Sequence, residues 1–421
     1  MRSALILLLG VGTVVGCGKS KKDGAAADKA KPGPSVSAAG QPTVAPTPTP
    51  TATAGGAAGT SAAPVASAPA VVDVDPCPGK TGKECVDLGL HSENGTGGRS
   101  KDLAQAVALF RAGCERKHLL GCAYLGDMLL DGRGTTRNDS EAMRVYTQAC
   151  DGKVGIGCLG VGLLYERGQG VDVDDAQVTK YYGLACGAGS QRGCVYLADR
   201  KRDGKGTAKD VAAASTMYEA ACKLKEGLGC LGLGYQLEVG DGVAKDVKRA
   251  VALYQQACEL NEPKGCGYWA DMLEIGSGVA KDLVKAAELN DRGCTAGYYA
   301  SCAALGDLLT RGGGGVTKDL ARALEVSKLA CEHKQGRGCH VSGWVKELDD
   351  GPGGKSLFEA VLYFEKGCAL DYYESCWAAG DLYWQGPSPV SQDTPKAKRF
   401  LDKACTGNKH QKACDLLAKI P

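Results

Sequence analysis

Apolar side chains recur along most of the chain at intervals of three and four residues, the pattern of helices with one buried face. Between Asp246 and Cys258 they fall at Ala250, Leu253, Tyr254 and Ala257, with polar residues between them. The pattern returns at a fixed period. Cys122, Cys158, Cys194, Cys230, Cys266 and Cys302 are 36 residues apart, Cys339 and Cys376 follow at 37, and Cys414 at 38. A period of this length predicts stacked helical repeats, each burying its apolar face against its neighbours. The expected fold is all-α, a solenoid of nine helix pairs with a short closing helix around Asp415 to Lys419.

Local signals place the second helix of each pair. Asp102, Asn138, Asp174, Asp210, Asp246, Asp282, Asp319, Ser356 and Asp393 each stand twelve residues before a cysteine. All nine are residues whose side chains accept hydrogen bonds from the free N–H groups of a first helical turn. Most are preceded by a Gly-x-Gly turn such as Gly240-Asp241-Gly242. The first helix carries a small residue four positions after its cysteine: Gly89, Gly126, Gly162, Ala198, Gly234, Ala270, Gly306, Gly343 and Gly380. Glycine inside a helix costs about 1 kcal/mol relative to alanine, so its recurrence predicts close backbone approach between helices.

Twenty of the 21 cysteines form pairs at constant separation. They are Cys77 with Cys85, Cys114 with Cys122, Cys150 with Cys158, Cys186 with Cys194, and Cys222 with Cys230. Cys258 with Cys266, Cys294 with Cys302, Cys331 with Cys339, Cys368 with Cys376 and Cys405 with Cys414 complete the set. No Cys-x-x-Cys cluster of zinc-binding type occurs, and the five histidines are scattered. Disulfides are therefore expected, in one of two registers. Bonds within a helix hairpin, such as Cys122 to Cys150, would leave Cys77 and Cys414 unpartnered, whereas the short register uses all twenty. Ten short loops are predicted.

The N-terminal stretch is different. Residues 1–16 read as a cleaved leader with one basic residue, Arg2, and an apolar run from Ala4 to Gly16, too short for a mature membrane span. Val14-Val15-Gly16-Cys17 resembles the lipobox of bacterial lipoproteins, which implies lipidation of Cys17, the odd cysteine. Residues 17–76 are rich in Ala, Pro and Thr and poor in large apolar side chains, the composition of a disordered tether. Residues 77–421 are the repeat array. The expected location is the cell envelope, on the outer membrane through the lipid, with the array periplasmic or surface-exposed.

Charge narrows the partners. Six of the 50 basic and four of the 48 acidic residues precede Cys77, so the array is formally neutral. That argues against nucleic acid or an anionic membrane surface as main partner. The membrane is expected to be met only through the lipid on Cys17.

The units resemble the Sel-one-like repeat, a relative of the tetratricopeptide repeat, through Leu125-Gly126-Asp127, Gly278-Val279-Ala280-Lys281-Asp282 and Tyr254-Gln255-Gln256-Ala257-Cys258. Cysteines eight apart are similar to the cysteine-rich branch typified by the Helicobacter cysteine-rich proteins. The resemblance implies a right-handed α/α superhelix with a concave groove. It also implies interaction modules, with penicillin binding or weak β-lactamase activity in some members of that branch.

The residues themselves offer little enzyme chemistry. Neither Ser-x-x-Lys, His-Glu-x-x-His nor Gly-x-Ser-x-Gly occurs. Gly353-Gly354-Lys355-Ser356 imitates the end of a phosphate loop, yet Asp349 replaces its first glycine and Ser356 is a helix start. Asp172, Asp174 and Asp175 lie at a repeat turn without a calcium-loop pattern. Five residues after the cysteine of the first helix stand Asp127, Asp199, Asp271, Asp307 and Asp381, three of them with a tyrosine three residues earlier: Tyr124, Tyr196 and Tyr268. This reads either as an acidic and aromatic column along a binding groove or as a solvated face with weak ion pairs. The expected function is a non-enzymatic protein–protein interaction scaffold, binding a protein or peptide in the groove without metal, cofactor or catalytic residues. The alternative is a weak hydrolase or binder of β-lactams or peptidoglycan fragments.

Overall fold

The computed structural model describes residues 75–421 apart from 349, 350 and 352. The leader, Cys17, nearly all of the tether and Asp349 lie outside the described residues. Among the described residues nineteen helices follow in chain order. The first pairs are α1 (Gly82–Asn94) with α2 (Leu103–Glu115), α3 (Leu119–Asp131) with α4 (Asp139–Asp151), and α5 (Gly155–Arg167) with α6 (Asp175–Gly187). Next come α7 (Gln191–Asp203) with α8 (Val211–Lys223), α9 (Gly227–Val239) with α10 (Val247–Glu259), and α11 (Pro263–Ile275) with α12 (Leu283–Thr295). The array ends with α13 (Tyr299–Arg311) and α14 (Leu320–Glu332), α15 (Gly336–Glu347) and α16 (Leu357–Ala369), α17 (Tyr373–Gln385) and α18 (Thr394–Asn408), then α19 (Gln411–Leu417). Each helix packs on the next, and first helices also touch the first helices of neighbouring pairs along most of the array. Second helices make no comparable contact with one another, so the first helices line the inside of the curve. Among the described residues no helix is long and apolar enough to cross a membrane.

The nine second helices begin where local chemistry places them. Every residue from Asp102 to Asp393 in that register is an N-cap whose side chain accepts from a first-turn N–H. Ser356 is one of these caps, accepting from the Glu359 N–H at 3.4 Å. The closing helix differs from expectation. It runs from Gln411 to Leu417, starting four residues earlier than Asp415. His410 Nδ1 accepts from the Ala413 N–H at 3.2 Å, and the Cys405–Cys414 bond ties the same turn to α18.

Among the described residues ten disulfides join the cysteines in the short register, nine across eight residues and the last across nine. From Cys114–Cys122 onward each links the end of a second helix to the start of the next first helix. The bond therefore spans the junction between pairs rather than the hairpin within one. That junction holds a residue in the left-handed region, and in most units it is not glycine: Lys117, Lys153, Lys225, Asn261, Lys334 and Asp371. A side chain there costs about 1–2 kcal/mol, and a nine-residue disulfide loop contributes about 2.6 kcal/mol by the chain-entropy model, enough to hold it.

The recurring small residue of the first helix has another cause than backbone approach. A Cβ on Gly126 would lie 2.5 Å from the ring of Tyr146, one on Gly162 2.5 Å from Tyr182, and one on Gly343 2.5 Å from Phe364. Gly89 meets Phe110, Gly234 meets Tyr254, and Gly380 meets the Leu401 side chain in the same way. Only Gly306 meets a backbone atom first, the Ala323 carbonyl at 3.2 Å. The glycine is a socket for a large buried side chain of the second helix. Phe110, Tyr146, Tyr182, Tyr218, Tyr254 and Phe364 are all at most 1% exposed.

This socket makes opposite predictions for two helical glycines. Gly183, on α6, has no atom within 4 Å of its would-be Cβ. Gly183→Ala is expected to raise stability by up to about 1 kcal/mol through helix propensity. Gly126→Ala gains the same propensity, yet overpacking against Tyr146 makes it destabilising by about 1–3 kcal/mol. Urea unfolding checks both, and a Gly126→Ala variant as stable as its parent would contradict the socket.

Candidate interaction groove

Five successive first helices, α3 to α11, enclose a groove of about 1120 Å³. Buried rings of α4, α6, α8 and α10 hold them from behind, so the inner wall is free to carry varied side chains. Ile156, Leu159 and Leu163 of α5 form an aliphatic patch within it, and the largely buried Leu228 of α9 adds an apolar edge beyond Arg192 of α7. Four carboxylates (Asp127, Asp131, Glu226 and Glu262) and four cations (Arg133, Arg167, Arg192 and Lys264) share the lining. Several are paired across the junctions. Arg133 reaches Glu93 at 2.5 Å and Asp131 at 3.1 Å, and Arg192 lies 3.9 Å from Glu226. Glu262 caps α11 by accepting from the Lys264 N–H at 3.2 Å. Burial pushes the Glu262 carboxyl up and the Lys264 ammonium down from their ordinary values.

The eight residues singled out from the sequence do not act alike. Asp127 and Tyr196 line the groove. Tyr124, Tyr196 and Tyr268 each pack against the aromatic ring of the preceding second helix, with centroids 5.3 Å from Phe110, 5.3 Å from Tyr182 and 5.2 Å from Tyr254. Asp127 accepts from the Tyr146 hydroxyl at 2.6 Å, and buried Asp199 accepts from the Tyr218 hydroxyl. Asp307 pairs with Arg311 at 3.2 Å and Arg337 at 2.5 Å, and Asp381 accepts from Gln385 at 2.6 Å. Asp271 is exposed.

Two acceptors were not found from the sequence. The Tyr182 hydroxyl donates to Glu166 at 2.9 Å and the Tyr254 hydroxyl to Glu238 at 2.6 Å. Alternate units thus supply the tyrosine's acceptor from different turns of the first helix, Asp127 and Asp199 in one set and Glu166 and Glu238 in the other. The signal was present: where Leu163 and Tyr235 replace the aspartate, a glutamate stands three residues later. The groove positions at Ile156, Arg192, Leu228 and Lys264 gave no such signal, because they differ from unit to unit. Among the described residues no group of three or more His, Cys, Asp or Glu could hold a metal ion.

Burial raises the Asp199 carboxyl to about 7, against the opposing pull of Arg202 and the Tyr218 hydroxyl. Between the ordinary aspartate value near 4 and about 7, the folded chain keeps a proton that the unfolded chain has released. This group's contribution to stability is therefore full below pH 4 and is lost as pH rises to 7. Asp199→Asn removes that dependence, so melting curves from pH 4 to 7 should show the wild type losing ground to the variant. A difference independent of pH would contradict it.

A sequence profile of the Sel1 repeat matches residues 85–118, 119–153, 156–190, 227–262, 263–298, 300–334 and 374–409. No curated protein matches the chain. Among solved structures, a Sel1 repeat protein from Oxalobacter formigenes is 22% identical with a TM-score of 0.52, over 59% of this chain and 99% of that one. A protective antigen of uropathogenic Escherichia coli with an SLR fold is 23% identical with a TM-score of 0.47, over 77% of this chain and 76% of that one. Helicobacter pylori cysteine rich protein B is 34% identical with a TM-score of 0.26, over 30% of this chain and 92% of that one. With seven matched units covering more than half of its length and a stack of helix pairs to carry them, the chain belongs to the Sel1 repeat family.

Proposed function

We propose that the protein is a non-enzymatic interaction scaffold of the bacterial cell envelope, holding an extended segment of a partner protein in its concave groove. Sel1 repeat proteins are generally protein-interaction scaffolds, and the groove is the feature that gives this one a place to bind. The observation that carries the reading is the aliphatic patch of Ile156, Leu159 and Leu163 in a lining whose charges balance across five units. Such a surface suits an extended chain with alternating apolar and polar side chains, and it spreads binding energy over several repeats. Ten disulfides fit an oxidising compartment. The leader and Cys17 supply the route there, with the lipid on Cys17 as the anchor. No observation favours β-lactam hydrolysis, and that reading is not carried further.

Two experiments test this. A photo-crosslinking residue at Leu163 should capture the partner in envelope extracts, whereas one at exposed Lys223 on α8 should not. Leu163→Asp should weaken capture about tenfold, equivalent to about 1.4 kcal/mol. Capture through Lys223 alone would overturn the groove assignment. For the anchor, Cys17→Ser should leave the precursor unprocessed or release the protein from membranes; unaltered fractionation and processing would rule the lipid out.

A further inference from the structure

The inner face changes chemistry along its length. Counted from the cysteine that opens each first helix, the groove is lined by residues four and two before it and one, five and eight after it: Glu226, Ile156, Leu159, Leu163 and Leu130 are examples. In the last two units the same positions hold Trp344, Trp377, Trp384, Tyr372 and His340, so three of the chain's four tryptophans lie on this short stretch. The other positions there are mainly acidic: Glu347, Glu374 and Asp381. Opposing charge is weak. Arg337 is bound to Asp307 at 2.5 Å, and burial lowers the His340 imidazole to about 4, which leaves it neutral at pH 7. Glu374 meets His410 at 3.0 Å. Burial together with the Asp381 charge pushes the Glu347 carboxyl up to about 7 against the pull of Lys355, so a bound cation favours its charged form. The Trp377 ring is covered by the start of α19, where its cap His410 stacks with centroids 5.7 Å apart and the Lys412 ammonium lies 5.1 Å away. Trp344, Trp384 and Tyr372, the last with one side against His340, are therefore the half-buried rings left on the face.

We propose that the inner face of α15 and α17 is a second docking surface, which takes lysine or arginine side chains of a partner segment between Trp344, Trp384 and Tyr372 and the carboxylates of Glu347 and Asp381. Aromatic faces attract a cation through the ring quadrupole, and a neighbouring carboxylate adds charge complementarity that a neutral ligand cannot use. The central groove differs in having as many cations as carboxylates. The proposal rests on the groove being the binding face, and it assigns the partner's charge at this end of it.

The test uses the full chain and a pentalysine peptide, with Pro-Thr-Pro-Thr-Pro as the neutral control, followed by calorimetry and by tryptophan emission. Saturable pentalysine binding is expected, weakening as salt screens the charges. Trp344→Ala and Glu347→Gln should each lower affinity at least fivefold, and Lys223→Ala should leave it unchanged. Circular dichroism melts show whether each variant is folded. Should Trp344→Ala disturb the packing, Glu347→Gln and Trp384→Leu carry the test. Equal binding of the neutral peptide, no saturable pentalysine binding, or unchanged affinity in folded variants would overturn the proposal. Crosslinking at Leu163 reads the central groove separately, so failure of this end of the face is told apart from failure of the groove itself.

Discussion

The rest of the structure depends on a large buried side chain of most second helices seated on a small residue of the first helix of the pair. Phe110 on Gly89, Tyr146 on Gly126 and Tyr254 on Gly234 set the distance between the helices of a pair. The next pair closes over the same ring: a Cβ on Gly160 would lie 2.5 Å from Tyr146, and one on Gly232 2.7 Å from Tyr218. One side chain thus spaces three helices. Burying such a ring contributes about 1.5–3 kcal/mol, more than the ~1 kcal/mol that a helical glycine costs. Where the ring is lost the core divides. Asn290 and Ser327 occupy the register of Tyr254, and the buried clusters of that region are small and separate, unlike the continuous cluster from Val178 to Met272.

The hydroxyl of the same ring connects core to surface. Tyrosine brings a polar group through the pair to the inner face, where it needs an acceptor, and an aspartate or glutamate of the first helix supplies one. Carboxylates at those positions are therefore partly committed to holding the fold. The varied positions beside them, from Ile156 to Lys264, are left to set what the groove recognises. Disulfides complete this division of labour. They fix each junction locally, so the inner face can vary without loosening the stack.

What the sequence determined by itself was everything carried by short, fixed separations. The period, the nine N-caps from Asp102 to Asp393 and the ten cysteine pairs involve partners within about a dozen residues of each other, and such contacts survive any detail of curvature. The closing helix was misplaced by four residues because its start depends on a histidine cap that no periodicity announces. Only the tertiary structure decided why glycine recurs, which carboxylate accepts from each tyrosine hydroxyl, and which side chains share the groove. Those contacts join residues 16 to 21 apart within a pair, as Tyr146 with Asp127 and Phe110 with Gly89, or in different pairs, as Arg192 with Glu226. Their geometry depends on how closely one helix lies on the next, and side-chain volume fixes that distance only once the pairs are stacked.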